Sequence, residues 1–464
     1  MRNHRRRRMG PFSANVTPLL AFLLAFSLSV SAAGPSTRAN DDSCDIALLP
    51  AATLLLPYFE VDFTDVTDQV TLFTVTNVTH VSQIARVTLW TDYSYPVLTF
   101  NIYLTGYDTQ SISLFDVIAK GIIGSGTGTS ISHAGAFSDP NTQLDETSCA
   151  NLPGTLDASL VARMQLAFTE GVASGACDSI GGAHENAIGY ATIDVVGNCS
   201  TANPADAQYF TNDIRFDNVL IGDYQQVSSK VRTYAEVSPM VHIRAIPEGG
   251  TPTLRRDAGE QFENRFPQTF YGRFQNPLTP AADARQPLPS RFAVRWINGG
   301  PGQFETRLKV WRQSATGRNV DCARVKDNGL VRVIDTVMFD ADENAEGLTF
   351  PGCQILCIGS PWAVLPSTAL VPVAPGSEVF PHALLSFQTS GWFYFNLDDG
   401  NPENGAHQNW VVVSMFAGDT FAGDTFDGDM DATALGNGCS PAVGLAEESE
   451  NGTAVIGPSE NGEP

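Results

Sequence analysis

Thr71–Asp92 reads TLFTVTNVTHVSQIARVTLWTD, and Arg291–Arg312 reads RFAVRWINGGPGQFETRLKVWR. Aligned on Asn77 and Asn298, the two stretches keep their spacing without a gap: nine residues on to Arg86 or Arg307, then four more to Trp90 or Trp311. Within each stretch the period is two. Ala85, Val87 and Leu89 alternate with Arg86, Thr88 and Trp90, and Thr306, Leu308 and Val310 alternate with Arg307, Lys309 and Trp311. Successive side chains of a strand point to opposite faces, so each copy presents one apolar and one mixed face. Each is read as two paired strands joined by a turn, which in the later copy contains Gly299-Gly300-Pro301-Gly302. Trp90 and Trp311 are expected to pack between sheets, with a ligand-stacking platform as the alternative.

A second echo points the same way. Gly189-Tyr190 through Asp194 has the pattern of Gly391-Trp392 through Asn396: glycine, an aromatic, then alternation ending on a short polar residue. Further strands are read at Ala51–Phe59, Pro96–Leu104, Gln110–Leu114, Asn218–Gln226, Met240–Ile246, Val331–Phe339 and Trp410–Phe416. Leu156–Gly171 is the best helix, with Thr155 or Asp157 as its cap and Leu156, Leu160, Met164 and Phe168 as its apolar stripe. The expected fold is all-β: two tandem immunoglobulin-like β-sandwich domains at 44–247 and 291–440, the first enlarged by a helix-containing insertion over 121–186.

Around these lie three other segments. Residues 1–33 have the basic start, apolar run and small-residue cleavage site of a secretory signal peptide. Residues 248–290 form a Pro/Arg-rich connector, and 441–464 an acidic tail too poor in large apolar residues to fold. Removing the signal leaves 22 Lys+Arg against 50 Asp+Glu, a net charge of −28. So acidic a surface disfavours nucleic acid and anionic membranes as partners. No run in the mature chain is apolar enough to span a membrane. The expected location is secreted, periplasmic or cell-surface, with a protein or carbohydrate as the partner.

Eight cysteines divide evenly. Cys44, Cys149, Cys177 and Cys199 fall in the first half, and Cys322, Cys353, Cys357 and Cys439 in the second. An even number per half of an exported chain reads as disulfides, with Cys149 and Cys177 as one expected pair.

Motifs for catalysis are missing: the sequence contains no G-x-S-x-G and no H-E-x-x-H. Cys177-Asp178-Ser179 lacks the glycine of a serine-protease nucleophile motif. A catalytic site would have to be assembled from distant residues such as Asp194, His184 and His242. Phe416–Asp431, FAGDTFAGDTFDGDMD, repeats AGDTF and then alternates aspartates. Asp424, Asp427, Asp429 and Asp431 are candidate calcium ligands, since calcium takes six to eight oxygens. Ala432 and Gly438 stand where an EF-hand needs glycine and glutamate, so the alternative is a solvated acidic hairpin.

The segments RWINGGPGQFETRLKVW (295–311), FYGRF (270–274) and ALGNGC (434–439) resemble those of exported bacterial β-sandwich proteins with no assigned function. The resemblance spans most of the mature chain and implies fold and export, but transfers no catalytic residue or cofactor. The expected role is a non-catalytic exported protein with a binding, adhesion or surface-structural function. A secreted hydrolase and a calcium-stabilised surface module are the alternatives.

Overall fold

The computed structural model describes residues 48–123, 136–137, 155–173, 179–200, 202–204, 209–215, 217–228, 235–243, 288–300, 302–313, 331–333, 335–340, 345–347, 363–374, 389–397, 408–421 and 424–435. The signal-like segment, most of the connector and the acidic tail lie outside them. The described residues form antiparallel sheets with two α-helices, an all-β architecture.

The first half begins with β1 (Thr53–Val61), β2 (Gln69–Asn77), β3 (Gln83–Thr91), β4 (Pro96–Leu104) and β5 (Thr109–Ser113). Helix α1 (Leu114–Lys120) follows, then β6 (Ala136–Phe137), α2 (Ala158–Thr169) and β7 (Ala187–Val196). It closes with β8 (Leu220–Ser228), β9 (Ala235–Pro239) and β10 (Val241–Ile243). One sheet has the order β5-β2-β8-β9 and the other β10-β1-β7-β3-β4-β6. Phe73, Val75, Ile112 and Tyr224 of the first sheet meet Leu54, Leu56, Ala85, Val87, Leu89, Phe100 and Ile193 of the second. Asp157 caps α2, its carboxylate accepting from Ser159 N–H, and Phe168 drops edge-on against Phe59.

The second half contains β11 (Arg291–Ile297), β12 (Phe304–Arg312), β13 (Val331–Val333), β14 (Asp335–Asp340), β15 (Ala345–Gly347) and β16 (Ala363–Leu365). It ends with β17 (Thr368–Pro372), β18 (Ser390–Asn396), β19 (Asn409–Phe421), β20 (Asp424–Asp431) and β21 (Thr433–Ala434). Its main sheets are β15-β14-β18-β11-β21 and β17-β12-β19-β20. Phe292, Val294, Trp296, Phe393 and Phe395 face Leu308, Val310, Val411 and Val413 in a second core.

Two readings need correction. The strands of each recurring stretch do not pair with one another: β2 lies in one sheet and β3 in the other, and β11 and β12 divide in the same way. Crossing between sheets turns the two apolar faces toward each other, whereas a flat hairpin would place them side by side. Nor are Gly189–Asp194 and Gly391–Asn396 equivalent. The first lies in β7 and pairs with β3; the second lies in β18 and pairs with β11.

Taken in chain order, β2, β3, β4, β5 and β7 make the same pairings as β11, β12, β17, β18 and β19. The third strand of each set pairs with the second, the fourth with the first, and the fifth with the second. The asparagines hold the matching corners. Asn77 Nδ2 donates to Thr105 O, one residue past β4, and Asn298 Nδ2 to Val373 O, one residue past β17. Their backbone N–H groups donate to Asp108 O and Thr389 O, the residues just before β5 and β18. Buried polar backbone at a strand end needs such partners, and one side chain supplies them at both corners.

The mixed face of β3 is buried along its whole length. At one end it is covered by Asn198, Ala202, Tyr209 and Asp213, and at the other by the second half. Trp90 stacks on Tyr190 with ring centroids 5.7 Å apart, and Trp311 meets Tyr190 edge-on at the same distance. Leu55, Val241, Ile243, Leu288, Trp410 and Val412 complete this third apolar cluster. Both tryptophans are thus packed between sheets, but sheets of different halves. The described residues of both halves belong to one compact unit.

Candidate functional site

Arg86 stands on the outer face of β3, in line with Asn101 of β4, Asp194 of β7 and Thr53 of β1. Its guanidinium is fully buried, and each of its five N–H donors has an acceptor. Nε donates to Asn101 Oδ1 at 2.8 Å; the terminal nitrogens reach Ala202 O at 3.0 Å, Asp213 Oδ1 at 3.1 Å, and Asn198 O and Oδ1 at 2.7 and 3.3 Å. Asp213 ends a single π turn, Tyr209–Asp213, and also accepts from Ser200 Oγ. Tyr209, under the guanidinium, donates its hydroxyl to Asp194 Oδ2 at 2.5 Å, and Thr53 Oγ1 donates to Asp194 Oδ1 at 2.6 Å. Burial, reinforced by the Asp194 carboxylate and opposed by Arg86, pushes the Tyr209 hydroxyl well above its ordinary range. The constellation fastens Asn198, Ala202 and the Tyr209–Asp213 turn to the sheet, with its charges consumed inside the fold.

A second group lies at the end of β3. Asp92 is buried and accepts from Gly182 N–H at 3.0 and 3.2 Å and lies 3.0 Å from His184 Nε2. His184 is anchored beyond α2 by its own N–H, which donates to Thr169 O, and 23% of its side chain is exposed. A Cβ on Gly182 would stand 2.8 Å from the imidazole and 2.9 Å from the carboxylate, so the glycine permits the approach. A buried carboxylate holding a partly exposed imidazole is the orienting half of general-base machinery. The burial of the Tyr93 phenol, together with the Asp92 charge, raises its pKa. Thr368 N–H of the second half donates to Asp92 O, so the pair sits at the rim of the seam.

The three residues suggested for a dispersed catalytic site occupy different surroundings. His184 meets Asp92, Asp194 meets Thr53 and Tyr209, and His242 lies on the opposite face of the sheet from Asp194. His242 Nδ1 lies 3.0 Å from Leu49 O, and Nε2 lies 3.1 Å from Gly222 O and 3.2 Å from Gly222 N. Burial lowers its pKa against the opposing pull of the Gly222 and Leu49 backbone. Sequence reasoning missed Asp92 altogether; the Gly181-Gly182 step was the available signal of a close approach.

The acidic strand β20 is the edge of its sheet, beside β19. Asp429 Oδ2 is 2.7 Å from Lys309 Nζ, and these side chains are 0% and 4% exposed. Asp431 Oδ1 accepts from Trp410 Nε1 at 3.0 Å. The side chains of Asp424 and Asp427 lie outside the described residues. Among the described residues no group of three or more His, Cys, Asp or Glu side chains converges in a way that could hold a metal ion. Lys309, not flagged from the sequence, supplies the countercharge.

Cys199 is buried and disulfide-bonded. Cys44, Cys149, Cys177, Cys322, Cys353, Cys357 and Cys439 lie outside the described residues, as does the expected Cys149–Cys177 link. Among the described residues no helix is long and apolar enough to cross a membrane. No protein-family model, no curated protein and no solved structure matches the chain.

Proposed function

We propose that the chain is an exported, non-catalytic protein with a binding, adhesion or surface-structural role, carried on two immunoglobulin-like sandwiches descended from one duplicated unit. The duplication is supported by the shared pairing order and by the matching asparagine corners. The immunoglobulin-like label is supported by the second half. There β18-β11 and β17-β12-β19-β20 follow the E-B and C′-C-F-G orders of that fold, while β14, beside β18 where strand D belongs, precedes β17 in the chain. The observation that carries the non-catalytic reading is the fate of the buried charges. Arg86, Asp194, Asp213 and Tyr209 satisfy one another and the backbone, where a catalytic group must instead meet a substrate. A fold of this kind hosts many functions, so the role rests on the site rather than the label.

A hydrolase is the second reading, and the Asp92–His184 pair favours it. One experiment separates the two. The mature protein is assayed against chromogenic esters, phosphoesters, glycosides and peptides, in parallel with His184→Ala. No turnover above the variant supports the binding role; turnover abolished in His184→Ala establishes the hydrolase.

A further inference from the structure

Lys309 projects from β12 and Asp429 from β20, the two strands that flank β19. In register, Lys309 stands opposite Val412 and Asp429 opposite Ser414, so the lysine reaches diagonally across β19 to the carboxylate. The 2.7 Å contact is closed to solvent on both sides. Val412 in the row of Lys309, and Trp311 and Trp410 in the next row, belong to the apolar seam between the halves. Strand β20 itself packs against β9 of the first half.

An amine and a carboxyl held in contact in a dry site meet two requirements of amide formation. Their effective concentration is that of a positioned intramolecular pair. Removal from water also makes the neutral amine and acid accessible alternatives to the ion pair.

We propose that Lys309 and Asp429 condense into an intramolecular isopeptide bond linking β12 to β20. A proton passes from Nζ to the carboxylate along the existing hydrogen bond, and the amine attacks Cγ. The Nζ–Cγ bond forms and one Cγ–O bond breaks. The departing oxygen carries away that proton and a second one from Nζ as water. The step involves no change of oxidation state and no co-reactant. The inference concerns the chain itself and stands whether or not the proposed role holds.

Mass spectrometry of the wild-type full chain, unfolded and with its disulfides reduced, tests this directly. Digestion with trypsin and chymotrypsin should give one branched peptide joining Leu308–Trp311 to the segment around Asp429. Its mass should fall short of the sum of its parts by one water, and cleavage after Lys309 should be absent. In Lys309→Ala the deficit should vanish. A wild-type digest with ordinary cleavage after Lys309 and no branched peptide would show an ion pair only and overturn the proposal, with no dependence on how the variant folds.

Discussion

Replacing Arg86 by Met should be among the most damaging single changes in the chain, while the same change at Arg307 should be nearly silent. The two arginines occupy the same place in the recurring stretch, so the contrast isolates environment from chemistry. Methionine keeps the aliphatic bulk of Arg86 and removes only the guanidinium. That leaves the buried Asp213 carboxylate with Ser200 Oγ but no countercharge, and strips donors from Asn101 Oδ1, Ala202 O and both oxygens of Asn198. Breaking a buried pair from one side costs about 3–5 kcal/mol, chiefly because the remaining charge is stranded. Arg307 is 38% exposed and bonds Glu305, itself 41% exposed, so screening limits that pair to about 0–1 kcal/mol. Urea unfolding of both variants reads the difference as a displaced midpoint at constant slope. Adding Asp213→Asn to Arg86→Met should recover part of the loss. If Arg86→Met costs under about 1 kcal/mol, or no more than Arg307→Met, the Arg86 network does not anchor the fold and the reasoning fails.

Two further outcomes follow from the corners and the buried histidine. Asn77→Ala removes donors to Val81 O and Thr105 O and the acceptor for Thr79; it should cost roughly 2–3 kcal/mol. Amide exchange at Thr79 should accelerate, as should exchange at Thr306 in Asn298→Ala, and unchanged protection would refute the pinning role. His242 has a folded pKa below its unfolded value near 6.5, so the unfolded chain takes up its proton first on acidification. Its contribution is therefore intact above about pH 6.5 and is lost as the pH falls toward and through the folded pKa. His242→Gln should flatten the pH dependence of unfolding over that window, and an unchanged profile would remove His242 as its source.

The sequence carried the strands more faithfully than it carried their neighbours. Period-two alternation located β3 and β12 because each buries Val and Leu on one face, whatever covers the other. It could not say that Arg86 would be buried too, because most of its partners come from residues more than a hundred positions away. The echo of Gly189 in Gly391 misled for a related reason. Both glycines sit where a Cβ would strike the carbonyl of a neighbouring strand, Trp90 O or Phe339 O, so the same local need arose in strands with different partners. Asp92 lies next to the conspicuous Trp90-Thr91 end of the stretch, yet its partner His184 is 92 residues on, beyond any motif spacing. The aspartates of β20 were legible as an unusual cluster. That Asp429 would meet a lysine and Asp431 an indole depended on the strand order β12-β19-β20, which is a long-range choice.

The tryptophan seam also bears on how the molecule is born. Made N-terminus first, the chain releases Trp90 and Tyr190 well before Trp410, which follows Tyr190 by 220 residues. At a typical 5–20 residues per second, that interval is roughly 10–45 s. For the larger part of it, once β10 has followed, the first half holds a finished core beneath an apolar surface of Leu55, Trp90, Tyr190, Val241 and Ile243 that has no cover. The nascent molecule is at its most adhesive while still incomplete, and the second half acts as the lid that ends this exposure.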